Sequence, residues 1–279
     1  MDNQKVWFVT GASKGLGLSL VKQLLKEGFK VAATSRKLNE LTDAVGVDDP
    51  NFLPLVLDLK NEDSVATAIA TGIDRFGRID VVVNNAGYGL TGSLEELSDE
   101  EARANFDVNV FGSLNVIRKV MPHFRAQHSG HIFNIASIGG YTGGFPGFGI
   151  YCATKFAVAG FSESLAAEAK PFGVHVTVVY PGYFRTNFLS SGSLLTPKNE
   201  ISDYQEVREV QNAHQHSIDG NQAGDPEKAV AALINITAEE QPPLHLFLGA
   251  DAYELAHGKI AQVQQALEQF KAITINTGF

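Results

Sequence analysis

The chain has 279 residues, 44% of them apolar, with 22 basic against 31 acidic side chains and a formal net charge of −9. That length suits one large domain with a sizeable core, and the acidic balance argues against nucleic acid and anionic membranes as partners, because phosphate binding generally needs a basic face. The single cysteine, Cys152, excludes an internal disulfide and a multi-cysteine metal site, and is expected to pack as a small apolar residue. No apolar run approaches the ~20 residues of a membrane span. The start, Met-Asp-Asn-Gln-Lys, runs directly into an apolar segment without a signal-peptide pattern, so a cytosolic protein is expected.

Lys5-Val-Trp-Phe-Val-Thr10 reads as a buried strand, followed by Gly11-Ala-Ser-Lys-Gly15-Leu-Gly17 and an apolar helical pattern through Leu16, Leu20, Val21, Leu24 and Leu25 that ends at Gly28. Strand, glycine turn and helix in this order aim backbone N–H groups and a helix N-terminus at a pyrophosphate. Gly11 suits the tight turn, Gly15 lets backbone approach the phosphates and Gly17 lets helix and strand pack closely. The next strand, Lys30–Ser35, ends where a dinucleotide fold places its ribose-reading residue, roughly 20 residues past the loop. A carboxylate there would select NAD. Ser35 and Arg36 stand there instead, with Lys14 in the glycine loop, so a 2′-phosphate can be gripped by charge-assisted bonds and NADP is the expected cofactor.

Further strands are predicted near 52–58, 79–84, 131–136, 174–180 and 244–248, with helices between them. Ser98 with Glu101 forms a capping box for a helix that should carry Asn109, and Asp225-Pro226 starts another. The alternation predicts an α/β fold: a doubly wound, Rossmann-like parallel sheet in a single domain, with its ligand crevice at the carboxyl ends of the strands. From 183 to 224 the alternation pauses. Ser190-Ser-Gly-Ser193 reads as a flexible turn, and Ile201, Tyr204, Val207, Val210 and His214 follow at helical spacing, so the segment is either a substrate lid or a surface insertion over the sheet edge. His214 and His216 have no partner ligands in view, and no metal is expected. The stretch from Asp251 to Phe279 is expected to be a helical extension.

Tyr151 and Lys155 lie four apart in an apolar segment without proline, so a helix places them on one face. A cation beside a phenol should lower the tyrosine pKa from its usual value of about 10. Hydride transfer to a ketone builds negative charge on oxygen. Tyr151 can quench that charge with its proton, and the hydroxyl of Ser137 can hydrogen-bond the same oxygen.

With these residues in view, the chain resembles the short-chain dehydrogenase/reductase family of the shorter, single-domain type. The resemblance is close over about the first 190 residues. It rests on Thr10-Gly11-x-x-x-Gly15-x-Gly17, Asp58, Asn84-Asn85-Ala86-Gly87, Asn109, Ser137 with Tyr151 and Lys155, and Pro181-Gly182 with Thr186. It implies a catalytic set of Asn109, Ser137, Tyr151 and Lys155, with Asn109 holding a water that links Lys155 to solvent. It further implies that Asp58 bonds the adenine, that Asn84 helps hold the sheet beside the adenine ribose, and that Lys155 bonds the nicotinamide ribose. Pro181, Gly182 and Thr186 would border the nicotinamide. The remaining cofactor contacts would come from Gly11, Ser13, Lys14, Gly15, Leu16, Gly17, Ser35, Arg36, Leu59, Asn85, Ala86, Gly87 and Tyr151.

The expected activity is therefore reduction of a carbonyl by NADPH, or its reverse. The pocket candidates Leu90, Leu94, Tyr141, Phe145, Phe148, Tyr183, Phe184 and Phe188 are mostly apolar, which favours a lipophilic ketone or aldehyde as substrate. The alternatives are a reductase of a polyol or sugar-derived carbonyl, and, outside enzymes, a non-catalytic NADP-binding redox sensor. The resemblance also implies a homodimer or homotetramer built on the helices that follow Ser98 and Ile150.

Overall fold

Trp7, Phe8 and Val9 are wholly buried, as the apolar opening run requires, and form strand β1 (Val6–Val9). The computed structural model describes residues 5–190 and 192–279. The reading of residues 1–4, and Ser191 within the 190–193 turn, lie outside the described residues. After β1 come α1 (Gly15–Lys26), β2 (Lys30–Ser35), α2 (Leu38–Val45), β3 (Phe52–Val56), α3 (Glu62–Phe76) and β4 (Val81–Asn84). The second half has β5 (Gly89–Leu90), α4 (Asp99–Phe106), α5 (Gly112–Gln127), β6 (Gly130–Ile135), α6 (Gly149–Ala169) and β7 (Val174–Pro181). It closes with β8 (Leu194–Leu195), α7 (Gln205–Asn212), α8 (Pro226–Ile236), β9 (His245–Leu248), α9 (Ala250–Gln269) and α10 (Lys271–Ile275).

Seven strands form one sheet in the order β3-β2-β1-β4-β6-β7-β9, every neighbouring pair parallel. The strand order reverses between β1 and β4, so the connections leaving their carboxyl ends diverge and open a crevice. Both faces are covered. On one, Leu20, Val21 and Leu24 of α1 meet Val230 and Leu233 of α8 over Trp7 and Val9. On the other, Val65 and Ile69 of α3, Val116, Val120 and Phe124 of α5 and Leu165 of α6 pack on Phe8, Val82 and Ile132. Pro54 falls on the edge strand β3, where a missing N–H costs least.

The predicted caps form. Ser98 Oγ accepts from the Glu101 N–H while Glu101 bonds back to the Ser98 N–H, and Asp225 accepts from the Glu227 N–H. Two expectations need adjustment. The third strand stops at Val56 because Asp58 turns the chain, its carboxylate accepting the Lys60 N–H at 3.0 Å. Asn109 sits not within a regular helix but in a single π-helical turn, Asp107–Phe111, that joins α4 to α5.

The 183–224 segment is fastened to the body of the protein. β8 pairs in parallel with β5, and buried Glu96 accepts hydrogen bonds from the N–H groups of Ser93 and Ile201 and a 2.7 Å ion pair from Arg208 of α7. The C-terminal stretch forms α9 and α10. None of the helices of the described residues is long and apolar enough to cross a membrane.

Candidate active site

One cavity of about 980 Å³ runs along the carboxyl ends of the strands. Its lining brings together, from distant parts of the sequence, Gly11, Ser13, Lys14, Gly15, Leu16, Ser35, Arg36, Asp58, Leu59, Asn85, Ala86 and Gly87. Ser137, Tyr151, Lys155, Pro181, Gly182 and Thr186 line it as well. Of the expected site residues, Gly17 and Asn109 stand behind the wall, where they support it.

The glycine loop is held from below. Thr10 Oγ1 accepts from the N–H groups of Asn85 and Ala86, both at 3.1 Å, and Asn85 Nδ2 donates to the carbonyls of Thr10 and Gly11, both at 3.0 Å. The N-terminal turn of α1 leaves its N–H groups without intrahelical acceptors, which suits a pyrophosphate. A side chain built on Gly15 would project toward Thr186, 3.9 Å away across the loop, so the glycine keeps this face open for a ligand. These are features that a dinucleotide requires, and the residues fit it.

At the ribose end no carboxylate stands at the end of β2. Partial burial and the adjacent Arg36 both hold the Lys14 ammonium below its ordinary pKa, in that order, against an opposing pull from Glu40. The two cations are thus close enough to repel each other. Such a pair is relieved by an anion between them. Asp58 is not a helix cap: the cap of α3 is Asn61, whose Oδ1 accepts from the N–H groups of Asp63 and Ser64. That leaves the Asp58 carboxylate on the cavity wall.

Asn84 ties the sheet to α6. Its Nδ2 donates to Asn134 Oδ1 at 2.8 Å, and Asn134 donates to Ser162 Oγ at 2.9 Å. Asn109 makes a similar clamp. Its Oδ1 accepts the Tyr88 N–H, while its Nδ2 donates to the Tyr88 carbonyl and to Thr154 Oγ1, each at 3.0 Å. Thr154 in turn donates to the carbonyl of Tyr151 at 2.7 Å. The side chain of Asn109 therefore braces the loop after β4 against the helix that carries Tyr151.

Ser137 caps the short turn Ile138–Gly140, its Oγ accepting the Gly139 N–H at 3.1 Å. That turn docks directly on α6, since a Cβ at Gly140 would lie 2.6 Å from the Lys155 carbonyl oxygen. Gly139 and Gly140 thus let Ser137 approach Tyr151. They are residues that the sequence reading passed over, although a Ser-x-Gly-Gly run after a predicted strand was visible.

Tyr151 and Lys155 share one face of α6, with the ammonium 5.8 Å from the phenol ring centroid. The expected lowering of the tyrosine pKa is not found. Burial pushes the Tyr151 hydroxyl well above its ordinary value, opposed by a hydrogen bond with Ser137, so it stays protonated at neutral pH. Burial also brings Lys155 down to about 8. Both groups lie too deep for their mutual attraction to outweigh the cost of desolvating a charge.

Beyond Tyr151 the cavity is lined by Phe145, Phe148, Tyr183, Phe184 and Phe188, as expected, and by Leu189, Leu195, His214 and Gln222, which the sequence reading did not place there. Three candidates are displaced. Leu90 is buried in the β5–β8 pairing, Leu94 is 70% exposed outside the cavity, and Tyr141 packs edge-on against Tyr180 and Phe247 behind the wall. Cys152 packs in the apolar cluster with Phe148, Tyr151, Leu189 and Leu194. Burial raises its thiol to about 11, so it is not a thiolate nucleophile at neutral pH. His214 turns to Tyr183 and the Val210 carbonyl, while His216 is exposed, so the two histidines do not converge.

Residues 5–193 match the family model for short chain dehydrogenase. The chain belongs to the short-chain dehydrogenase/reductase family. It is 37% identical over 266 residues to the oxidoreductase BOA17 of Botryotinia fuckeliana, covering 95% of this chain and 96% of that one. It is likewise 37% identical over 249 residues to a 3-ketodihydrosphingosine reductase of Bacteroides thetaiotaomicron, covering 88% of each. A solved short-chain dehydrogenase of Streptomyces avermitilis superposes with a TM-score of 0.90 at 36% identity, over 98% of this chain and all of the other. Two further solved relatives differ in cofactor. A short-chain dehydrogenase of Burkholderia cenocepacia, 29% identical with a TM-score of 0.73 over 95% of this chain and 97% of its own, is complexed with NADP. A 3-ketoacyl-(acyl-carrier-protein) reductase of Brucella melitensis, 26% identical with a TM-score of 0.74 over 88% and 96%, is complexed with NADH. The chain is an oxidoreductase of this family, acting on CH–OH or C=O groups with a nicotinamide dinucleotide. The ribose end must decide between the two forms of that cofactor.

Proposed function

We propose that the protein reduces a lipophilic ketone or aldehyde with NADPH. The observation that carries this reading is the continuity of one cavity from the Lys14–Arg36 pair to the aromatic wall beyond Tyr151. At the first end, Lys14, Ser35 and Arg36 offer two charges and a hydroxyl to a 2′-phosphate, and no acidic residue ends β2 to repel it. Glycine-loop N–H groups and the start of α1 hold the pyrophosphate, Asp58 the adenine, and Lys155 the nicotinamide ribose. When bound, NADPH supplies hydride to the carbonyl carbon.

Tyr151, kept protonated by burial, gives its phenolic proton to the substrate oxygen as charge develops there, and Ser137 donates a second hydrogen bond to that oxygen. A protonated tyrosine suits reduction; the reverse reaction needs the phenolate and is favoured at higher pH. Asn109 holds the helix of Tyr151 in register through Tyr88 and Thr154. Phe145, Phe148, Phe188 and Leu189 exclude water and take up an apolar body. The name of the Bacteroides relative, 3-ketodihydrosphingosine reductase, supports reduction of a keto group.

A polyol or sugar-derived carbonyl would leave those aromatic faces unsatisfied. A non-catalytic sensor would have no use for the assembled Ser137, Tyr151 and Lys155. The test is turnover of long-chain and aryl ketones, and of the corresponding aldehydes, with NADPH and with NADH. Oxidation of NADPH coupled to alcohol formation is expected, and its absence across such a panel would overturn the reading. The exposed rings of Phe111 and Phe156, on the helical stretches that follow Ser98 and Ile150, further support a homo-oligomer, which light scattering would test.

A further inference from the structure

Among the aromatic side chains of the substrate end lies a polar corner with a fixed sense. His214 is buried, and its Nδ1 lies 2.7 Å from the Val210 carbonyl, which can only accept, so Nδ1 carries the proton. Burial disfavours the imidazolium, leaving a neutral ring with a bare Nε2. Tyr183 Oη lies 2.8 Å from that Nε2 and must therefore donate its proton to it. What Tyr183 offers the cavity is then a lone pair.

Gln222, the neighbouring polar residue, keeps its oxygen closed to the cavity. Gln222 is 3% exposed and its Oε1 has no hydrogen-bond partner among the described residues. Its Nε2 lies 3.5 Å from Asp219 Oδ1, and Oε1 presents no surface that a ligand could reach, which leaves Tyr183 as the acceptor of this corner. The chain around Gln222 runs beside the chain around Tyr183: the Gly224 N–H donates to the Tyr183 carbonyl at 3.0 Å, and Arg185 Nε to the Gln222 carbonyl at 3.2 Å. The corner is also close to the chemistry. Phe148 packs against the Tyr151 ring, with centroids 6.2 Å apart, and against His214, at 4.7 Å.

We propose that Tyr183 Oη reads a hydrogen-bond donor, a hydroxyl or amino group, carried by the lipophilic substrate a few bonds from its reacting carbonyl. His214 is the positioning residue that fixes the sense of Tyr183. This deepens the carbonyl-reductase reading and rests on it. A plain ketone leaves the Tyr183 lone pair without a donor, which is where discrimination against it arises.

The experiment compares kcat/KM, with NADPH, for a long-chain methyl ketone, its β-hydroxy derivative and its β-amino derivative. The NADP-loaded protein, in which no reduction can occur, gives the binding constants of the same three compounds by calorimetry. At least a ~10-fold preference for one donor-bearing compound over the plain ketone is expected in both measurements, and the preferred one names the donor. Tyr183→Phe keeps the ring beside His214 and removes the acceptor, so the ratio should fall to within about 2-fold of unity. A ratio near unity in the unmodified protein, or one that Tyr183→Phe leaves unchanged, overturns the inference. Reduction of the plain ketone without any such preference would leave the reductase reading standing and sink this one alone. If none of the three compounds is turned over or bound, both fall.

Discussion

Lys155 Nζ donates to the carbonyl of Ile135 at 2.8 Å, so the residue best placed to tune Tyr151 is tied to the last residue of β6, two positions before Ser137. This bond fixes the ammonium at the junction of β6, α6 and the Ile138–Gly140 turn. A Cβ at Gly87 would come 3.5 Å from the same Nζ, so the loop after β4 closes over it as well. Because the group is buried, it loses its charge at about 8, while Tyr151 stays neutral far above that.

An alkaline limb in the pH profile follows. Lys155 is charged below its depressed pKa and neutral above it, so kcat/KM for NADPH, which reports the free enzyme, should decline as pH rises through about 8. Lys155→Met should lower the rate and abolish that limb. Tyr151→Phe keeps the ring's packing, so NADPH binding should survive while turnover falls at least ~100-fold. Fluorescence titration and steady-state rates separate the two effects. An unchanged limb in Lys155→Met, or near-native turnover in Tyr151→Phe, would contradict this assignment.

At the ribose end, Arg36→Ala should weaken NADPH binding by about 1–3 kcal/mol, the range for one charge-assisted contact, and leave NADH binding nearly unchanged. The comparison of cofactors matters more than either value. A loss equal for both would place Arg36 on the shared part of the dinucleotide and not on a 2′-phosphate. Titration of each cofactor into both proteins measures it.

How far this site was legible in the sequence depends on the kind of signal each part carries. Gly11, Gly15 and Gly17 were legible because a strand, a glycine turn and a helix leave a periodic trace, and the sheet followed from short apolar runs such as Val81–Val83. Tyr151 and Lys155 were placed on one helical face by their spacing alone. Their protonation was not legible, because spacing says nothing about depth, and depth sets the sign here. The π turn at Asn109 and the β5–β8 pairing were equally invisible: each is made by contacts, Asn109 with Thr154 and Leu90 with Leu195, between residues far apart in the chain. Leu94 and Tyr141 were misplaced for the same reason. Apolar character marks a residue for burial without saying against what.

Glu96 anchors the segment over the substrate end. Its side chain is fully buried, and although burial alone would raise its pKa, the N–H groups of Ile201 and Ser93 and the Arg208 guanidinium hold it below the ordinary value. Glu96→Ala removes the acceptor of two N–H groups and one partner of Arg208, which keeps Glu200 and Gln211, so it should destabilise the protein by about 1–3 kcal/mol. Limited proteolysis should then cut first between residues 196 and 212. Cleavage elsewhere at the same rate would show that the segment is held by other contacts.

His131 makes acid stability the last test. It is buried on the interior strand β6 and stacked on Phe133, 4.0 Å between centroids. Thr177 Oγ1 donates to the Pro243 carbonyl at 2.7 Å, so its lone pair accepts from His131 Nε2–H, 2.9 Å away. Burial first, then His175 and Lys5, brings its pKa down from 6.5 to about 3. An unfolded chain binds the proton near its ordinary pKa and the folded one does not. Stability is therefore complete above about 6.5 and is lost as pH falls from there toward 3, by up to about 5 kcal/mol over the whole interval. His131→Gln can keep the donor to Thr177 but has nothing to protonate. Urea denaturation at pH 7 and again near pH 4.5, where most carboxylates are still ionised, should show a smaller loss for the variant than for the unmodified protein. Equal losses in the two would show that His131 takes up its proton in the folded state at no cost.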